Sequence, residues 1–233
     1  MIDKPKLTFK IIKSIENNYC IQINNKMAKT PNRNLIEVPT LKLAKIILKD
    51  FQTNNSKKLV NIVSPIRMTN TALDKIVKKN NDFIEQLSLY INSDVVCYFA
   101  RSPKDLVKKQ NKYWLPMIKL MQDIYHINIL YTSEISAVRQ PKESLAKVKE
   151  ILIEKNCFEL SAIGVLAQLT NSIIISLALI TDKINSKDAY ELSNLEEIYQ
   201  SSLWGKDEEA FTRLKAISLD IKNVKKYYDA IKK

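Results

Sequence analysis

Glycine is nearly missing from this chain. Two occur in 233 residues, Gly164 and Gly205, which disfavours phosphate-cradling loops and glycine-dependent hairpins and favours helix. No Walker loop, dinucleotide fingerprint or nucleophile elbow is present. Histidine is scarcer still. His126 stands alone in the apolar stretch MQDIYHINIL, so a His-rich metal site is excluded, and the ring reads as structural or surface rather than catalytic. Cys20, Cys97 and Cys157 are odd in number, far apart and without CxxC spacing. They point to reduced, inert thiols rather than a disulfide framework or a zinc site. The N-terminus, MIDKPKLTFK, lacks the apolar core of a signal peptide and the Arg/Ser bias of a transit peptide. The expectation is a cytoplasmic protein with no cofactor, no metal and no catalysis.

What the chain does have is positive charge, +12 in net. A basic nucleic-acid-binding module is therefore a rival reading, and binding that falls steeply with salt would reveal it. The lysines, however, are scattered. The densest clusters, Lys78-Lys79, Lys108-Lys109 and Lys225-Lys226, lack the interleaved aromatics of a base-stacking surface. A solvated basic surface with no stable nucleic-acid partner is the expectation. Hydrophobic content of 45% and charged content of 27% suit a chain with a core of its own.

One apolar run dominates. From Leu160 to Thr181 no residue is charged, and Glu159 and Asp182 bracket the stretch. As a single helix it would extend about 33 Å, enough to cross a bilayer. Ser161, Gly164, Gln168, Asn171, Ser172 and Ser176 nevertheless form a small or polar stripe at helical spacing. The chain offers no second run of this length for them to pair with. The spacing predicts a central helix of a helical domain rather than a membrane span.

Behind it lies SKDAYELSNLEEIYQSSLWGKDEEAFTR, Ser186 to Arg213. Asn185 or Ser186 can cap a helix with apolar positions Leu192, Leu195, Tyr199 and Leu203. Gly205 suits a left-handed helix end after Trp204. Asp207, Glu208 and Glu209 suit the first turn of a following helix, where they meet the positive end of its dipole. Glu197, Gln200 and Trp204 step by three and four, so they align near one face. Adjacent Glu196 and Glu197 point about 100° apart and form no shared-proton dyad. Trp204 is expected at least partly buried, and an aromatic with polar neighbours also has the composition of a recognition patch.

Elsewhere the pattern is mixed, then helical. Leu7 to Thr30 reads as a small β-meander with turns at Glu16-Asn17-Asn18 and Asn24-Asn25. Thr40 caps a helix with Leu41, Ala44, Ile47, Leu48 and Phe51 on one face. Leu59 to Val63 suggests another short strand. From Thr69 the period becomes helical, with a break near Asn80-Asn81. Asp94 to Ala100 can be a strand or a buried helical turn. Ser102-Pro103-Lys104-Asp105 reads as a helix start with Ser102 as cap, and Pro116 kinks or restarts that helix. Ile127 to Thr132 reads as extended, and Pro141 opens a helix carrying Leu145, Val148 and Leu152. Leu214, Ile217, Ile221, Val224, Tyr228 and Ile231 form a seam that packs on its own domain. The expected class is α+β: a β-rich unit with one helix over 1–65, then a larger all-helical, orthogonal-bundle-like unit over 66–233.

LEEIYQSSLWGKDEEA resembles the signature of the ATP synthase assembly chaperones that hold the alpha subunit of the catalytic head. The resemblance runs nearly the whole chain. It includes Lys29-Thr30-Pro31, Val38-Pro39-Thr40, Leu43-Ala44 and Arg67 through Asp74. It continues through Tyr90 to Asp94, Cys97-Tyr98, Pro103, Leu106, Gln110, Trp114, Pro116, Gln140, Ser172 and Leu177-Ala178-Leu179. Three positions depart from the family pattern: Phe51 stands where Trp is usual, Asn171 where glycine precedes Ser172, and Ser133-Glu134 where glycine is common. The resemblance implies a protein without enzymatic activity, monomeric when free, that binds the unassembled alpha subunit and covers its beta-facing surface. It would be cytoplasmic here, and in the mitochondrial matrix in eukaryotic relatives. It implies a partner-binding role for Glu197, the family's glutamate by motif, or Glu196 if the register slips by one, with Gln200, Trp204 and Asp207 beside it.

Overall fold

A computed structural model describes residues 7–54, 63–205 and 207–232. Strands β1 (Phe9–Lys13) and β2 (Tyr19–Ile23) pair antiparallel, Ile11 opposite Ile21. Short β3 (Lys26–Met27) and β4 (Glu37–Val38) both pair with β2. The hairpins manage without glycine. Asn17, Asn24 and Asn25 all take positive φ, at 62°, 49° and 61°, because the short polar asparagine side chain tolerates the left-handed region. Thr40 caps α1 (Leu41–Asn54): its hydroxyl accepts from Leu43 N at 3.1 Å and donates to the Ala230 carbonyl near the far end of the chain.

Ser64 caps α2 (Pro65–Thr71), so helix begins earlier than the period suggests, and a π-helical turn continues it over Ala72–Ile76. Most of the strand expected over Leu59–Val63 lies outside the described residues. Next come α3 (Asn80–Ser88), α4 (Lys104–Tyr125) and α5 (Lys142–Ile153). One expectation for α4 needs correction: it starts after Pro103 with no side-chain cap. Of the two readings of Pro116, the restart does not occur, and the helix runs through it. Pro116 is solvent-facing, where water can serve the carbonyl whose amide partner is missing.

The single long apolar helix is also corrected. It is two helices, α6 (Cys157–Thr170) and α7 (Ile173–Ile180). Asn171 ends α6 at φ 48°, ψ 31°, and Ser172 caps α7 by accepting from Ile175 N at 2.9 Å. A left-handed position is one that asparagine tolerates nearly as glycine does. The segment at 94–97 attends to the break. Val95 N donates to the Asn171 carbonyl at 3.0 Å, and the Asp94 carboxylate accepts from Ile174 N at 3.0 Å. That segment is one 3-10 turn, Val95–Cys97, after which Tyr98 bridges in parallel to Thr132.

Helices α8 (Ser186–Ser193), α9 (Leu195–Trp204) and α10 (Glu208–Ile231) complete the chain. Asn185 and Asp188 form a reciprocal capping box at α8. The helix expected from Ser186 to Leu203 is divided at Asn194. The seam of α10 lies against α6, α8 and α1, with Leu214, Ile221, Val224, Tyr228 and Ile231 buried. The class is α+β, a small antiparallel sheet followed by a mostly helical remainder. One apolar cluster runs from Ile21 and Ile36 of the sheet region through α6 to Ile231. Among the described residues no helix is long and apolar enough to cross a membrane.

Candidate functional site

Many of the motif residues have structural work, and the structure shows what it is. Thr30 and Asp74 meet across the sheet–helix junction. The Asp74 carboxylate accepts from the Thr30 hydroxyl (2.5 Å), Asn34 Nδ2 (2.7 Å) and Asn32 N (3.1 Å). Burial pushes that carboxyl up, but these donors and nearby Lys78 outweigh it and hold the pKa below the usual 3.8. Trp114 is buried and donates from Nε1 to the Leu192 carbonyl at 3.0 Å, with Phe99 edge-on at 5.5 Å. Gln140 behaves like a neighbouring strand: it accepts from Leu130 N (2.9 Å) and donates to Leu130 O (2.7 Å). Gly164 makes room for Phe83, whose Cζ would lie 2.9 Å from an added Cβ. His126 caps α4 at φ 54°. Burial pushes up the thiols of Cys20, Cys97 and Cys157, as inert cysteines require.

The acidic pair on α9 is divided between two neighbours. Leu195 and Tyr199 anchor the helix in the core. Glu196 Oε1 accepts from Gln110 Nε2 at 2.6 Å, and Gln110, fully buried on α4, also accepts from Ala100 N at 2.8 Å. Glu197 turns the other way and forms an ion pair with Arg213 of α10. Its charge also reaches Tyr190, whose phenol is pushed up by burial first and then by Glu197 and Glu191.

Trp204 overturns the expectation of burial. It is 83% exposed, being the last residue of α9 and more than a turn beyond Tyr199. Leu203, expected on the apolar face, is exposed as well. The chain leaves Trp204 through Gly205 at φ 90°, ψ 174°, an extended positive-φ conformation rather than the left-handed helix end expected. Asp207 caps α10 through Glu209 N at 3.0 Å. Phe211, one turn into α10, is exposed too. The α9–α10 hairpin thus ends in exposed apolar side chains, Leu203, Trp204 and Phe211, beside Asp207, Glu208 and Glu209. Gln200 is exposed on the same arm.

Sequence reading missed Phe211, Arg213 and the inward role of Glu196. Phe211 is detectable as an aromatic four residues after a capping Asp207. Arg213 is distant in sequence, and nothing in the chain's pattern singles it out. Between α4 and the α8–α9 pair lies a groove of about 570 Å³, lined by Tyr113, Met117, Leu195, Ile198 and Tyr199, with Lys109 Nζ 5.2 Å above the Tyr199 ring. No group of acidic, histidine or cysteine side chains among the described residues is arranged to hold a metal ion.

Residues 8–122 match the sequence model of a family described as ATP12 chaperone protein. Over those residues the chain is similar to a family of ATP synthase assembly chaperones. Protein atp12, mitochondrial, of Schizosaccharomyces pombe is 23% identical over 202 residues, covering 82% of this chain and 69% of that protein. The crystal structure of Atp12 from Paracoccus denitrificans superimposes with a TM-score of 0.85 at 24% identity, covering 97% of this chain and 96% of that one. The Atu1473 protein of Agrobacterium tumefaciens does so with a TM-score of 0.89, also at 24% identity, over 97% of this chain and 87% of its own. The likeness to these two structures carries the fold. The ATP12 family match covers the sheet, α1 to α3 and most of α4, and stops short of the α9–α10 hairpin.

Proposed function

We propose that this protein binds the unassembled alpha subunit of the proton-translocating ATP synthase. It shields the surface that will later face the beta subunit and gives it up as the catalytic head assembles. The proposed contact region is the α9–α10 hairpin, with Glu197, Gln200, Trp204 and Asp207 in it. The carrying observation is the exposure of Trp204. A tryptophan left in water at a hairpin tip has no packing role of its own, whereas the buried motif positions described above do. An aromatic anchor with polar neighbours is the composition of an interface core.

The physical logic is that of competition. A subunit of an obligate ring exposes a large apolar interface before assembly, and such patches aggregate. A helper must cover the patch yet lose to the correct partner, which calls for moderate affinity. A compact hairpin tip supplies such affinity better than an extensive interface. Light scattering of aggregating alpha subunit tests the reading. A molar excess of this protein should suppress the scattering without ATP hydrolysis, and Trp204→Ala should abolish the effect. Scattering unchanged by the wild-type protein refutes the reading, and full activity of the Trp204→Ala variant moves the contact elsewhere.

A further inference from the structure

We propose that the groove between α4 and the α8–α9 pair is a docking cleft for an acidic amphipathic helix of the alpha subunit. The inference rests on the binding reading above. It names the chemistry of the partner segment and a second face that receives it.

One face of α4 is left without a partner. Lys109, Lys112, Tyr113 and Pro116 step by three, one and three, so they share one side of the helix. All four are exposed, and all four line the groove of about 570 Å³. Leu195, Ile198 and Tyr199 of α9 form the opposite wall. Leu195 and Tyr199 are buried, while Leu203, four residues on, is exposed. The apolar line of α9 therefore climbs out of the groove to the hairpin tip. Leu195 and Trp204 lie about 14 Å apart along the helix axis, so one partner helix can rest in the groove and reach Trp204. Both walls are helical and offer no sheet edge to which a strand could add. The occupant that fits is a helix laying apolar side chains at i, i+3, i+4 and i+7 between them.

The charges decide which flank of that helix faces α4. On the α8 wall the acids have donors: Asp188 accepts from Asn185 N at 3.1 Å, and Glu191 pairs with Lys187 at 3.6 Å. On the α4 wall, Lys109 and Lys112 stand 5.2 Å from the ring centres of Tyr199 and Tyr113. Neither lysine forms an ion pair among the described residues. An ammonium over a ring keeps N–H donors to spare. The uncommitted charge of the groove is thus positive, and its complement is a row of carboxylates on the side of the partner helix turned to α4.

Reversing the two lysines tests this. Lys109→Glu/Lys112→Glu is compared with Lys42→Glu/Lys45→Glu, the same change of net charge at exposed positions of α1 outside the groove. Isolated alpha subunit is titrated against each, with thermal melting alongside. The groove pair should weaken capture at least about tenfold with an unchanged Tm. The α1 pair should stay within about twofold of wild type. Wild-type capture by the groove pair overturns the proposal, and so do equal losses from both pairs, because net charge alone then governs binding. A benzophenone photo-crosslinker at position 113 locates the segment. It should join to a stretch of the alpha subunit with carboxylates beside an apolar helical stripe, and crosslinks to a basic stretch, or none, overturn the assignment. Two labelled synthetic peptides probe the groove without the subunit, followed by fluorescence anisotropy. One has leucines at i, i+3, i+4 and i+7 flanked by glutamates, and its twin has lysines in place of the glutamates. Only the acidic peptide should bind the wild-type protein; the groove pair should lose it and the α1 pair should keep it. If the wild-type protein captures no alpha subunit, the binding reading fails and the named partner with it. The peptides still decide whether the groove selects acidic helices, and equal binding of the two overturns that.

Discussion

Removing the Asp74 carboxylate should loosen the junction between the sheet and the helices. Its three donors come from a loop 40 to 44 residues away, and the acceptor is buried on a π-helical turn. Hydrogen bonds to a charged group are worth about 1.5–3 kcal/mol each, and they do not add. Thr30 is itself buried, so Asp74→Ala leaves a hydroxyl without its acceptor inside the protein. Breaking a buried charged network by taking one partner away costs about 3–5 kcal/mol. For a chain of this length each kcal/mol moves Tm by about 2–4 °C, so a fall of about 10 °C is expected at pH 7. The pH dependence adds a second test. The folded carboxyl lies below its usual 3.8, so its contribution is present above that value and is lost as pH falls through the folded pKa. The gap between wild type and Asp74→Ala should therefore be full at neutral pH and narrow below about pH 4. Thermal unfolding followed by circular dichroism at both pH values reads this. A Tm within about 2 °C of wild type at pH 7 refutes the clamp.

Three further outcomes follow from particular residues. Trp204→Ala should change stability by less than about 1 kcal/mol, since the indole is exposed, while capture of the alpha subunit fails; a large drop in Tm would mean the ring is packed. Asp94 has the opposite pH sign to Asp74: burial pushes it up to about 6 despite the amide and hydroxyl donors around it. Its contribution is fully present below 3.8 and is lost as pH rises through 6, a change of about 3 kcal/mol. Urea unfolding across that range should show a component in wild type that vanishes in Asp94→Asn, and equal slopes would sink the assignment. Gly205→Ala should strain a backbone region nearly reserved for glycine, at about 1–3 kcal/mol. The loop can relax locally, so the expected signature is faster exchange over 207–212 and weaker capture with little change in Tm; unchanged exchange would show that the conformation is not required.

How far the sequence could be read depended on the range of the interactions involved. The capping of α1 by Thr40 was legible, and that of α8 down to Asn185 or Ser186, because caps act over three residues; Asp207 was read as first-turn charge, one position inside the cap it forms on α10. The seam of α10 was legible because burial follows helical period. The asparagine turns were legible by residue type. The break at Asn171 was not, because a left-handed asparagine in an apolar run has the same letters as a polar residue facing a groove. Its partner, the 94–97 turn, lies far off in sequence, with Asp94 80 residues from Ile174. Trp204 illustrates the reverse error. An aromatic at helical spacing usually points into a core, but Trp204 ends α9 more than a turn beyond Tyr199, the last residue of that helix to be buried. At the candidate site, the pattern could not separate Glu196, which turns inward to Gln110, from Glu197, which turns toward Arg213.

The split at Asn171 also bears on where the run from Leu160 to Thr181 can settle during biosynthesis. As one helix it could partition into a bilayer. As folded it consists of a 14-residue and an 8-residue helix, about 21 and 12 Å long against a hydrocarbon core of about 30 Å. The break exposes backbone groups that are met by Val95 and Asp94 in the folded protein. Lipid offers no such partners, and each group left unmet there costs several kcal/mol. The same turn that completes the core therefore makes the native shape of this run unfit for insertion, so the chain's most apolar stretch is committed to a partner in its own sequence.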